Sequence, residues 1–294
     1  MVRSVIAAVT GPQLERIRAL APAEGELRDA DGDLAGVEVL VPDWTFTRDL
    51  AGLPALRVVQ VLSAGTEWIE DRIPAGVTLC NARGARDAPV AEWVVGAVLG
   101  AASGLLAAAR ARRWEHAPPR DVEGSTALIV GYGSIGRAAG RRLEALGVTV
   151  QGVGRRARPG VHGADELPAL LPGADTVILL TPLNDATRTL VDAAFLARMR
   201  DDALFVNAGR GASVDTDALL AELTSGRLRA VLDVVEPEPL PEDHPLWDAP
   251  GLLALTSHQA GDSEAADERA AALAAQQLGR VLRGEPLENV VLEG

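Results

Sequence analysis

LIVGYGSIG, residues 128–136, decides how the rest of the chain reads. Leu128, Ile129 and Val130 form a short apolar run, Gly131, Gly133 and Gly136 follow in the spacing GxGxxG, and RAAGRRLEAL (137–146) continues as an alanine-rich helical stretch. Each glycine has its own physical use. The first permits a tight turn, the second lets backbone approach an anion, and the third lets helix and strand pack closely. Free N–H groups and the dipole at the helix start favour negative charge. The spacing alone is often only a turn. Set between strand and helix, it predicts a pyrophosphate cradle for a dinucleotide, lined by Gly131, Tyr132, Gly133, Ser134, Ile135 and Gly136.

The next strand, Val148 to Val153, leads to the position that meets the adenosine ribose in such a fold. An acid there bonds the ribose hydroxyls and repels a 2′-phosphate. Here Gly154 is followed by Arg155 and Arg156. A guanidinium presents a fork of donors to phosphate, so NADP(H) is the expected cofactor, with NAD(H) second, and Arg155 precedes Arg156 as the expected clamp. The competing reading is a pair of solvated loop arginines.

Around this centre, short β-branched runs alternate with Ala- and Leu-rich stretches, the pattern of βα repeats and parallel sheets. Expected strands are Ser4 to Val9, Val37 to Val41, Val58 to Leu62 and Val77 to Asn81, then Ala127 to Val130, Val148 to Val153, Thr176 to Leu180, Leu204 to Asn207, Leu228 to Asp233 and Leu252 to Thr256. A buried helix is expected from Val90 to Ala109, within a longer helical stretch that begins near Ala88 and stops before HAPPR (116–120), where two prolines break it. The fold class is therefore α/β, with two Rossmann-like or flavodoxin-like units joined by a long helix. Expected bounds are residues 1–88 plus 265–294 for a substrate domain and 89–264 for the dinucleotide domain.

Composition narrows the chemistry. The 294 residues contain no lysine, so all 28 basic side chains are arginine. This excludes a Schiff-base lysine and the lysine of a phosphate-binding P-loop. The net charge of −13 repels nucleic acid and anionic membrane. No apolar run reaches the ~18 residues of a membrane span. The N-terminus reads as a strand rather than a signal peptide, and Cys80 alone cannot form an intrachain disulfide. A cytoplasmic setting is expected.

FVNAGRGASVD (205–215), LDVVEPEPLP (232–241) and LTSHQAGDS (255–263) place one arginine, several acids and one histidine just past apolar strands, where α/β sheets hold ligands. In this order the motifs resemble NxGRG, LDVFExEPL and PHxxG of the D-isomer-specific 2-hydroxyacid dehydrogenases, and the resemblance covers essentially the whole chain. It implies that Arg210 binds the substrate carboxylate and keto oxygen, that His258 is the acid/base, and that Glu238 rather than Glu236 orients and charges that histidine. It also implies cofactor contacts from Thr181, Pro182, Asn207, Ala208, Asp233 and Gly261, with Asp233 aimed at the nicotinamide carboxamide. Ser63-Ala64-Gly65 resembles the loop whose N–H groups hold the carboxylate, which would set the active site in a cleft between domains. Departures are Ser257 where Pro is usual, Gln259 after the histidine, and Trp93 where many relatives have His.

The physics fits these roles. Reducing a 2-keto acid needs a hydride, a cation beside the developing oxyanion and a proton donor near neutral pH. Histidine titrates there, and a neighbouring carboxylate favours its charged form. The leading expectation is an NADP(H)-preferring 2-keto acid reductase of the glyoxylate and hydroxypyruvate kind, assembled as a homodimer through the long helix region. Two alternatives stay open. One is a sibling that oxidises phosphoglycerate, phosphite or formate, although Glu238 argues against formate and the end at Gly294 against an appended regulatory domain. The other is a dinucleotide-sensing corepressor without catalysis. His116, His162 and His244 read as surface residues without metal-ligand spacing, and RARRW (110–114) as a solvated helix end.

Overall fold

The computed structural model describes residues 5–114 and 118–294. Ser4, expected to open the first strand, and His116 lie outside them. The chain forms two compact units, Met1–Arg86 with Asp262–Gly294, and Asp87–Gly261. In chain order the strands are β1 (Val5–Val9), β2 (Gly25–Asp29), β3 (Val39–Val41), β4 (Val58–Gln60), β5 (Thr78–Cys80), β6 (Thr126–Val130), β7 (Thr149–Val153), β8 (Thr176–Leu179), β9 (Leu204–Asn207), β10 (Arg229–Leu232), β11 (Leu252–Leu255) and β12 (Val290–Leu292). The helices are α1 (Gln13–Leu20), α2 (Asp87–Ala102), α3 (Leu105–Arg110), α4 (Ser134–Glu144), α5 (Leu167–Leu170), α6 (Ala193–Arg198), α7 (Thr216–Thr224) and α8 (Glu264–Arg283).

The sheet of the first unit runs β12-β5-β4-β3-β1-β2, parallel except that β12 lies antiparallel to β5. Its inner strands β1, β3, β4 and β5 are largely buried on both faces, which is why they read as continuous apolar runs. Val5, Ala7, Val9, Val39 and Val41 pack with Ile17 of α1 and Ala271, Ala274, Leu278 and Val281 of α8. Ala8, Leu40 and Val59 face the opposite core with Phe46, Leu50 and Ile69.

The second unit's sheet, β11-β10-β9-β8-β6-β7, is parallel throughout. The two-residue period shows in β6: Leu128 and Val130 join Val177, Leu179 and Phe205 on one face, while Ala127 and Ile129 join Ile178 and Val206 on the other, under α2 and α4. Strand order reverses beside β6, between β7 and β8, so a crevice is expected outside the carboxyl ends of β6 and β8. GYGSIG leaves β6 there and Thr181 leaves β8.

The unbroken helix expected through residues 90–109 is two helices. Gly104 adopts φ +73 between α2 and α3, the left-handed cap that a residue without Cβ takes most easily. Leu106 then folds back so closely that a Cβ on Gly100 would lie 3.1 Å from it. Whereas α2 buries Val90, Ala91, Val94 and Val98, α3 buries none of its six residues.

Candidate active site

The glycine loop shows three separate constraints. Gly131 has φ +98, and a Cβ there would meet the Leu180 carbonyl at 2.6 Å; a Cβ on Gly136 would meet Gly131 O at 2.8 Å. Gly133 faces open space, with no atom within 4 Å of an added Cβ. Thus two glycines let the chain pack on itself and the middle one leaves room for a ligand. Gly133 precedes α4, whose first-turn N–H groups are available to an anion. Ser134 Oγ donates to Asp87 Oδ1 at 3.1 Å, and Ile135 is half-buried.

Tyr132 points away from the loop: its ring lies over Gly152 of β7, where a Cβ would sit 2.4 Å from Tyr132 Cγ, and its hydroxyl lies against Gly140. Thr181 is buried, and among the described residues its Oγ1 has no hydrogen-bond partner. An orphaned hydroxyl after β8 and an open glycine after β6, at the switch point, suit a ligand rich in hydroxyls and phosphates, so these residues fit a dinucleotide. Pro182 is exposed at the rim.

Arg155 and Arg156 are exposed on the excursion after β7. The excursion is a small hairpin, closed by Arg158 N to Val161 O at 3.0 Å and Val161 N to Arg158 O at 2.8 Å. Arg158, which sequence reasoning did not single out, donates from Nη2 to Tyr132 O at 2.8 Å and so ties the basic turn to the glycine loop. His162 lies 2.8 Å from Glu166, whose carboxyl is held below its usual range by the Gly163 N–H and then by His162.

The other candidates cluster after β9, β10 and β11. Asn207 is buried, accepts from Gly209 N at 3.0 Å and donates to Arg210 O at 3.2 Å, which shapes the turn that carries Arg210. Ala208 packs on the core beside it, and Arg210 donates to Gly209 O at 2.8 Å. Gly211 fixes the neighbouring loop, because a Cβ there would fall 1.8 Å from Val235 O. Thr216 Oγ1 donates to Glu236 O at 2.7 Å. The segment bearing Arg210 is thereby locked to the segment bearing Glu238.

His258 Nδ1 lies 2.6 Å from Glu238 Oε1. A carboxylate only accepts, so Nδ1 carries the proton and Nε2 is left for another partner. The ring is about half exposed and can reach a small molecule. His258 has φ +53, a left-handed backbone that costs a residue with a Cβ about 1–2 kcal/mol. Asp233 stabilises it. With only 3% of its surface exposed, Asp233 accepts from His258 N through its carbonyl (2.8 Å), from Thr256 Oγ1 (2.5 Å) and Gln259 N (2.9 Å) at Oδ1, and from Ala260 N (3.0 Å) at Oδ2. Bonds to a carboxylate contribute roughly 1.5–3 kcal/mol each, more than the backbone costs. Gly261 ends the segment. Thr256 was invisible to sequence reasoning because its partner lies 23 residues away on a neighbouring strand.

Ser63, Ala64 and Gly65 belong to the first unit, at the carboxyl edge of its sheet after β4. Ser63 Oγ donates to Gly65 O at 2.6 Å and Asn81 Nδ2 to Ala64 O at 2.7 Å, which leaves a tight, small-residue turn. Trp93 packs on the core of the second unit. In RARRW, Arg110 donates to Leu252 O, and Trp114 is fully exposed.

Residues 97–260 match the family model described as D-isomer specific 2-hydroxyacid dehydrogenase, NAD binding domain. The chain is 31% identical over 278 residues to a glyoxylate reductase of Thermofilum pendens, with 88% of this chain and 80% of that one covered. It is 32% identical over 281 residues to a D-3-phosphoglycerate dehydrogenase of Methanocaldococcus jannaschii, covering 90% of this chain but only 52% of that longer protein. It superposes with TM-score 0.86 and 30% identity on an NADPH-dependent glyoxylate/hydroxypyruvate reductase from Sinorhizobium meliloti solved with NADP and sulfate, over 98% of each chain. The chain belongs to the D-isomer-specific 2-hydroxyacid dehydrogenase family.

Proposed function

We propose that this protein is an NADP(H)-dependent reductase of small 2-keto acids that also runs in reverse on D-2-hydroxy acids. The observation that carries the reading is the His258–Glu238 pair at 2.6 Å, with Nε2 of a half-exposed ring left over. The dinucleotide supplies the hydride. Arg210, permanently charged, binds the carboxylate and draws negative charge towards the keto oxygen. His258 would deliver a proton from Nε2 to that oxygen as the hydride adds to the carbonyl carbon, so the C=O bond becomes C–H and O–H and the keto acid becomes a 2-hydroxy acid. Glu238 stabilises the imidazolium before transfer and holds the ring afterwards. The Ser63-Ala64-Gly65 turn is assigned the substrate carboxylate. Arg155 and Arg156 are assigned the 2′-phosphate, since the excursion Gly154 to Gly160 contains no acid to repel it.

The purified protein is expected to oxidise NADPH when offered one or more of glyoxylate, hydroxypyruvate, pyruvate and bulkier 2-keto acids. Silence across that whole panel would sink the reading. We also propose that two copies associate through the face made by α2 and α3. Leu99 of α2 and Leu105 of α3 are exposed, Leu105 keeping 66% of its surface, and Trp114, four residues past the end of α3, is exposed as well.

A further inference from the structure

We propose that Thr256 and Asp233 are positioning residues for His258: together they impose the left-handed turn that lays Nδ1 on Glu238 and presents Nε2 to the substrate. The inference rests on the reading of His258 as proton donor. A left-handed backbone is uncommon even at histidine, which enters it more often than most residues, and Thr256-Ser257-His258-Gln259 contains no glycine to take the turn. The turn comes instead from the segment after β10. Three successive N–H groups, of His258, Gln259 and Ala260, converge on Asp233, the first on its carbonyl and the others on its two carboxylate oxygens.

The Thr256 hydroxyl shares Oδ1 with Gln259 N, and this second donor fixes the rotation of the carboxylate about its own axis. Thr256 is itself held at the strand end, where its N–H donates to Leu232 O at 2.9 Å. One stretch of chain therefore grips the histidine twice. Asp233 sets its backbone, and Glu238, five residues on, receives its ring. A displacement of about 1 Å at a reacting group can cost roughly a hundredfold in rate, so a hydroxyl remote from the substrate gains leverage over the chemistry.

Thr256→Val keeps the shape and removes the donor, whereas Thr256→Ser keeps the donor. For Thr256→Val, kcat for 2-keto acid reduction is expected to fall about 10- to 100-fold, with the Kd of NADPH, from fluorescence titration, within about twofold of the parent. Thr256→Ser should stay within about threefold in kcat. Proton NMR gives a readout independent of turnover: the Nδ1 proton of His258, assigned by its loss in His258→Asn, should be present in the parent and in Thr256→Ser and shifted or missing in Thr256→Val. An unmoved kcat and Nδ1 proton in Thr256→Val would overturn the inference, as would loss of NADPH binding with kcat intact, or equal losses in both variants. If Thr256→Val does not fold, Thr256→Ala takes its place under the same criteria. If the parent reduces no keto acid, the functional reading fails, and the Nδ1 proton still decides whether Thr256 positions the ring.

Discussion

Glu238 and His258 illustrate how one bond divides two duties. The carboxylate keeps a proton on Nδ1 and holds the ring in place, which leaves Nε2 to hand over the proton that reduction consumes. Glu238→Gln preserves an oxygen acceptor but removes the charge. This variant is expected to lose about 10- to 100-fold in kcat for reduction while binding NADPH as before, a split that steady-state kinetics and fluorescence titration measure together. The roles expected of Arg210, Glu238 and His258 rested on motif order; the closeness of Glu238 and His258 is a matter of loop packing. The same holds for Gly211, whose lack of a side chain lets the Arg210 loop lie against Val235. Thr256 could not be read from the sequence, because a threonine at a strand end has no signature until the adjoining strand is in register.

At the scale of elements, the basic hairpin after β7 is the feature on which cofactor choice turns. Arg158, itself exposed, fastens it to the glycine loop, and Arg155 and Arg156 are its other exposed cations. Replacing both with alanine is expected to raise the KM for NADPH at least about tenfold and leave that for NADH within about twofold, consistent with charge-assisted bonds made only to the extra phosphate. Equal effects on the two cofactors would return the arginines to the solvent. Elements with strong periodicity were legible: the βα series and GYGSIG stand where the sequence places them. Elements at the margins were not. β2, GELRD, is a polar edge strand with no fully buried residue, and β12 is a three-residue exposed edge. Neither presents the apolar run that betrays a central strand. The break at Gly104 escaped notice because glycine is tolerated in helices, and only the return of Leu106 onto Gly100 shows why the chain turns there.

For the whole molecule, a net charge of −13 constrains how two copies would meet in the dimer proposed above. Like-charged chains associate only where apolar contact outweighs repulsion, and salt screens that repulsion over about 10 Å at 0.1 M. Self-association through Leu105 and Trp114 should therefore tighten as salt is added. Leu105→Asp should shift light-scattering mass from two chains to one with the fold retained by circular dichroism. Unchanged mass in that variant would place the contact elsewhere.

The return of α8 to the first unit also sets a clock. Ala271, Ala274, Leu278 and Val281 complete the core begun by Val5, Ala7 and Ile17, yet they are made only after all of Asp87–Gly261. At roughly 5–20 residues per second, the opening unit waits on the order of ten to thirty seconds on the ribosome with one face of its sheet uncovered. The nucleotide-binding unit has by then emerged as a single uninterrupted stretch with all of its own strands and helices. The part of the protein made first is the last to complete its core, and during that interval one face of its sheet stays open to solvent.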